Sequence, residues 1–202
     1  MKIIDNFLKD DKYNKVIYPK KQIVLHHTAG NKNAQSSIDW WNSQKGKIGT
    51  AFIIDYDGNI FRCFYEDYWS FALGLKTINR LVIEKQAIQI ELCAWGQLTK
   101  SNNAYYNYLK KKVDNNEVYE LKNKWRGFNY FHKYSDEQIN SLNELLNYLC
   151  DKYNIKKEIN PDIFDINEKA LNGDTGIYAH CSYRKDKFDI YPDDRILNIF
   201  KK

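Results

Sequence analysis

Gln22-Ile23-Val24-Leu25-His26-His27-Thr28-Ala29-Gly30 is a short aliphatic run that stops at two histidines and a glycine. Apolar, largely β-branched residues bounded by such a turn signal read as a strand. Side chains along a strand alternate between faces, so His26 and His27 cannot both serve one site. Periodicity does not choose between them. Far away in the chain, Gly176-Ile177-Tyr178-Ala179-His180-Cys181 repeats the pattern, a strand over 176–181 that carries a histidine near its end. It runs into a loop with Lys187 and Asp189. Imidazole and carboxylate are both zinc ligands, and a lysine beside them can face a developing oxyanion. Two histidines and an aspartate from separate elements, with a fourth position left to water, make the ligand count of a catalytic zinc rather than a structural one.

Other elements fall around these two strands. Thr50–Tyr56 and Asn59–Phe64 flank Asp57-Gly58 and predict a β-hairpin with a two-residue turn. Ala87–Leu92 is a third core strand with Glu91 near its end. Ser36 and Ser37 offer an N-cap for a short helix through Ile38, Trp40 and Trp41 that Gly46 closes. Ser135-Asp136-Glu137-Gln138 fits a capping box, and Ile139, Leu142, Leu145, Leu146, Leu149 and Tyr153 recur at helical spacing. Strands alternating with helices predict a single α/β domain, a central mixed β-sheet flanked by α-helices. Residues 1–20 are expected to be an N-terminal arm and 21–202 the catalytic domain. Within it, 97–134 is a polar, aromatic excursion too long for a plain connection, predicting small elements of its own or a loop over the site.

The His-His-Thr-Ala signature after an early strand, the Ile88-Gln89-Ile90-Glu91-Leu92 strand and the late histidine followed by Lys187-Phe188-Asp189 resemble the zinc-dependent N-acetylmuramoyl-L-alanine amidases, a family shared by phage endolysins and peptidoglycan recognition proteins. The match covers roughly residues 20 to 195. It implies the same mixed α/β fold, bound Zn2+, and hydrolysis of the amide between N-acetylmuramic acid and L-alanine in peptidoglycan. It also implies His26 as ligand rather than His27, and Asp189 as third ligand through the Lys-x-Asp spacing. On residue chemistry alone Cys181, Asp186, Asp193 and Asp194 stay open for that place, although Cys181, next to His180 on a strand, should face away. Glu91 stands where the family's Ile-Gly-Ile-Glu motif carries its catalytic acid, and Lys187 would stabilise the oxyanion. Thr50, in Ile48-Gly49-Thr50-Ala51, stands where many phage enzymes carry tyrosine or histidine, and it is grouped with the substrate-binding residues. Ala72 likewise replaces a histidine of some relatives, and Pro192 lies three positions beyond Asp189 instead of next to it. Trp41, Trp69 and Trp95 are candidate rim aromatics for the glycan or stem peptide. His132, just before the capped helix, reads as a surface or packing residue.

Composition narrows the alternatives. At 202 residues, 43% apolar and 28% charged, the chain can bury one core. Its net charge of +5 suits an anionic partner: nucleic acid, a membrane surface or an acidic cell wall. No groove-reading motif supports nucleic acid, and no stretch could be inserted stably in a bilayer. Cys63, Cys93, Cys150 and Cys181 lack C-x-x-C spacing and read as reduced, buried thiols. The charged N-terminus is no signal peptide. The expectation is a monomer made in the cytoplasm that reaches the wall after phage-mediated release. The competing class is a module that binds peptidoglycan without cutting it.

Overall fold

The computed structural model describes residues 1–159 and 161–201. Six strands build the central sheet: β1 (Ile3–Asp5), β2 (Gln22–His27), β3 (Phe52–Ile54), β4 (Ile60–Arg62), β5 (Ala87–Leu92) and, last in the chain, β11 (Gly176–Ala179). Their order is β1-β4-β3-β5-β2-β11. Only the β3–β4 pair is antiparallel, so the sheet is mixed. Among the described residues five α-helices accompany it: α1 (Ala34–Ser43), α2 (Arg80–Gln86), α3 (Asp136–Tyr153), α4 (Glu168–Asn172) and α5 (Asp194–Asn198). No helix among the described residues is long and apolar enough to cross a membrane.

Strand β2 is buried along its whole length between β5 and β11. Burial on both faces explains its unbroken aliphatic run, as in parallel sheets generally. Helix α3 begins at the capping box, with the Ser135 hydroxyl oxygen accepting from Gln138 N and the Gln138 side-chain oxygen accepting from Ser135 N. Its Leu142, Leu145, Leu146 and Leu149 are fully buried. Leu146→Ala removes a side chain from a close-packed core and should cost about 2–5 kcal/mol of unfolding free energy in a urea titration.

Several expectations are corrected. The first twenty residues, read as an N-terminal arm, are tied to the sheet: β1 pairs in parallel with β4 at its edge, Ile3 opposite Ile60 and Ile4 opposite Phe61. Lys20 then buries its ammonium against the carbonyls of Tyr68 and Lys85, at 2.7 and 2.8 Å. The cap of α1 is Asn33, whose side chain accepts from Gln35 N at 2.7 Å, so Ser36 and Ser37 lie inside the helix. The β3–β4 turn is longer than two residues. Asp55 and Asn59 still pair, and Gly58 closes the turn on Asp55 O with φ +82°, the three-residue hairpin loop with its left-handed third residue. Strand β11 ends at Ala179, and His180–Ser182 form a 3-10 turn.

The excursion is a second sheet. Strands β6 (Gln97–Ser101), β7 (Ala104–Tyr106), β8 (Lys112–Val113), β9 (Val118–Trp125) and β10 (Phe128–His132) pair in the order β8-β7-β6-β10-β9, all antiparallel. A stack of Phe131, Tyr191 and Tyr134, with centroids 4.5 and 4.7 Å apart, joins it to the chain that follows the site loop.

Candidate functional site

The parallel register sets Glu91 of β5 directly beside His26 of β2, and β11 delivers His180 from the other side. Asp189 arrives on the loop after it. His26 Nδ1 lies 3.0 Å from His180 Nδ1 and 3.1 Å from Asp189 Oδ2, and His180 Nδ1 lies 2.9 Å from the same oxygen. All three residues are buried. His27 points away: its Nδ1 meets the Tyr134 hydroxyl at 2.9 Å, and burial pulls its pKa down to about 4. Gly96, at φ +77°, leaves room for that ring, since a Cβ there would stand 2.5 Å from His27 Nε2.

The outer nitrogens show what the inner ones must be. His180 Nε2 faces Leu73 O at 3.0 Å, and a carbonyl only accepts, so Nε2 carries the proton. His26 Nε2 faces Gln89 Oε1 at 2.8 Å, and Gln89 Nε2 donates to Glu84 Oε2 at 2.9 Å, which orients the amide. In its neutral form, the form that can bind a metal, each ring therefore turns an Nδ1 lone pair inward, toward a carboxylate oxygen. Three acceptors this close in a buried place repel one another unless a positive charge sits among them. The donor set, two imidazoles and one carboxylate with both outer nitrogens fixed, fits zinc. Without a metal, burial raises the Asp189 carboxyl, but His180 and His26 in their proton-bearing form outweigh it and hold it well below the usual carboxylate range; with neutral rings, a bound cation takes over that role.

Glu84 was not legible in the sequence. Buried at 1% exposure, it accepts from Gln89 and from the backbone N–H groups of Ala72, Leu73 and Gly74 at 3.1–3.2 Å. One carboxylate thus anchors both the amide that orients His26 and the loop whose carbonyl orients His180. The only prior signal was the polar break at Gln89 in an aliphatic strand. Glu84→Ala should weaken metal affinity about 10–100-fold, the usual penalty for losing an outer-shell partner, read by chelator competition.

Glu91 has an oxygen, Oε2, that is buried and without a hydrogen-bond partner. Burial raises its pKa to about 7, with His26 and Lys187 opposing and Asp189 reinforcing the rise. Lys187 is half-buried, its charge close enough to favour the Glu91 carboxylate.

The second sheet braces the loop that carries Asp189. Arg126, at the β9–β10 turn, donates to the carbonyls of Arg184, Lys185, Lys187 and Cys181 at 2.6–3.1 Å. Phe188 packs edge-on against Phe128. Cys181 sends its thiol toward Ile163 O and Ile190 O, away from the cluster, and Asp193 is held by Arg195 at 2.6 Å. Asp186 pairs with Arg184.

The rim residues are redistributed. Trp41 is 6% and Trp69 8% exposed, so both belong to the core. Ala34, Ile38 and Trp41 share the inward face of α1, which turns Trp40 outward at 54% exposure. Thr50 is buried and donates to Phe52 O at 2.9 Å, leaving it no free group for a substrate. Trp95 keeps partial exposure, edge-on to Tyr108 at 6.2 Å. His132 is fully buried in packing against Tyr56. A cavity of about 580 Å3 opens elsewhere, between Asn154–Ile159 and the start of β11, and touches none of the three clustered residues.

A family model for N-acetylmuramoyl-L-alanine amidase matches residues 17–189. Among solved structures, the chain is similar to N-acetylmuramoyl-L-alanine amidase LysC from Clostridium intestinale URNW, at 18% identity over 97% of this chain and 95% of that one, with a TM-score of 0.54. PlyL matches at 13% identity over 100% and 98%, TM-score 0.59, and AmpD at 14% over 98% and 94%, TM-score 0.53. At such identities the likeness speaks to the fold. No curated protein sequence matches the chain.

Proposed function

The chain belongs to the N-acetylmuramoyl-L-alanine amidase family, whose model spans most of it, and on that premise we propose that it is a zinc-dependent hydrolase of the bond between N-acetylmuramic acid and L-alanine in bacterial peptidoglycan. The observation that carries this reading is the convergence of His26, His180 and Asp189 on one point, with an acceptor oxygen set against each outer ring nitrogen. Zinc bound there would supply a Lewis acid that makes water nucleophilic near neutral pH and polarises the amide carbonyl.

The chain's own groups account for the proton traffic. Glu91, adjacent to His26 with an unpartnered oxygen, takes the proton of the attacking water and hands it to the departing nitrogen of L-alanine. Lys187 adds positive charge where negative charge grows on the carbonyl oxygen. Glu84 and Gln89 hold the imidazoles in the tautomer the ligands need.

A pH dependence follows. The base must be ionised, so turnover is lost as pH falls through the Glu91 pKa. In the metal-free site that pKa is about 7, and a neighbouring dication lowers it, so the acid limb of kcat in the loaded enzyme should lie below pH 7. Lys187→Ala removes a stabilising charge and should move the limb upward. A limb that stays in place would separate Lys187 from Glu91.

The decisive experiment joins zinc analysis with mass spectrometry of digested cell wall. One zinc per chain and stem peptides with free L-alanine amino termini are expected. Bound zinc with no release from any wall chemotype would leave a binding module instead.

A further inference from the structure

Residues 97–134 hold eight of the chain's 31 basic residues and three of its 26 acidic ones, a local charge of +5; the remaining 23 basic and 23 acidic residues cancel. The whole net charge of the protein therefore sits on the second sheet and its turns. Lys100, Lys110, Lys111, Lys112, Lys122 and Lys124 are exposed there. Ion pairs of this segment among the described residues use Glu117, Arg126 and His132 and leave those six lysines out. Lys32, from the central domain, also neutralises Glu117, so one of the segment's few carboxylates is already engaged.

The charge is interleaved with rings. Tyr105 and Tyr130 lie 5.0 Å apart edge to face, and the Lys100 ammonium stands 5.3 and 5.4 Å from their centroids. Tyr108, beside the Lys110–Lys112 run, is 60% exposed. Flat half-apolar rings next to unpaired ammonium groups suit a ligand that alternates sugar or polyol units with anionic groups.

We propose that the second sheet is a docking surface for a polyanionic glycopolymer of the cell wall, one whose sugar or polyol units are joined by phosphodiesters. Nucleic acid offers the same phosphodiester charge. The wall is favoured because this sheet is continuous with the hydrolytic site: Arg126 and Phe128 of the same segment hold the loop that carries Lys187 and Asp189. The inference rests on the amidase reading for the nature of the surface being approached. It does not need Glu91 or the metal to act as proposed.

Binding and cutting can be measured apart. Full-length protein, in a Glu91→Gln background so that the wall survives, is sedimented with purified walls, either native or stripped of phosphodiester polymers by hydrofluoric acid. The partner variant carries Lys110→Ser, Lys111→Ser, Lys112→Ser, Lys122→Gln and Lys124→Gln, all at exposed positions. Native walls should bind the parent at least about tenfold more tightly than stripped walls. The variant, or a rise from about 50 to about 500 mM salt, should abolish that advantage. With Glu91 restored, cleavage of a small soluble muramyl-peptide should be equal with and without the five substitutions. Equal binding of parent and variant to native walls overturns the proposal. So does a variant that loses a labelled DNA strand while keeping the wall. Failure to cleave the soluble substrate would instead strike the amidase reading, with the sedimentation result still standing.

Discussion

His180→Ala should bind zinc roughly 100- to 10,000-fold more weakly than the parent and lose turnover with it. Structural zinc sites bind with about 10–16 kcal/mol, so one of three protein ligands accounts for about 3–5 kcal/mol of the interaction. The loss is compounded because the surviving His26 and Asp189 remain buried at 1% and 8% exposure with less compensation for their converging acceptors. The fold should survive, since His180 lies in the 3-10 turn beyond the end of β11 and belongs neither to a strand of the sheet nor to the leucine stripe of α3. His27→Ala provides the contrast. It opens space between Gly96 and Tyr134 and should destabilise the protein by about 1–3 kcal/mol while leaving zinc stoichiometry intact. Chelator competition and thermal melting on both variants separate a ligand from a neighbour that differs by one residue. Zinc lost with His27 and kept without His180 would reverse the assignment of the two strand ends.

Glu91→Gln should retain zinc and lose about 10^2- to 10^4-fold in kcat, the range for removing a positioned acid-base group. Glutamine keeps the shape but cannot take a proton, so KM should change far less than kcat. Turnover within about tenfold of the parent would remove Glu91 from proton transfer. The same substitution tests the electrostatics without any substrate. Burial raises the Glu91 carboxyl from 4.5 to about 7, so the folded metal-free protein binds more protons than the unfolded chain between those values. Its stability therefore falls as pH rises from about 4.5 to 7. Glu91→Gln abolishes that contribution, and denaturation midpoints across this window should flatten accordingly.

Much of this architecture is written locally. The β2 run, the Asp57-Gly58 hairpin and the Ser135 capping box depend on residues within a few positions of each other. The His26, His180 and Asp189 cluster was legible for another reason: a histidine at the end of each of two aliphatic strands and a Lys-x-Asp loop form a recognisable pattern. The structure brings His26, His180 and Asp189 together at about 3 Å. Composition also carried the net charge but not its location on one sheet.

What stayed hidden depends on long-range packing. Trp41 and Trp40 are adjacent in sequence and equal in type, and only the rotation of α1 against the core decides which is buried. The first residues look like a polar arm until β4 presents an edge for Ile3 and Ile4 to pair with. Glu84 and Arg126 act through carbonyls and amides belonging to distant loops, partners that no spacing rule predicts because hydrogen bonds to backbone leave no trace in side-chain identity. Local pattern thus determined which strands exist and which side chains have the chemistry for a metal. Tertiary packing alone decided how those side chains are oriented and what braces them, because both depend on where sequence-remote backbone groups come to rest.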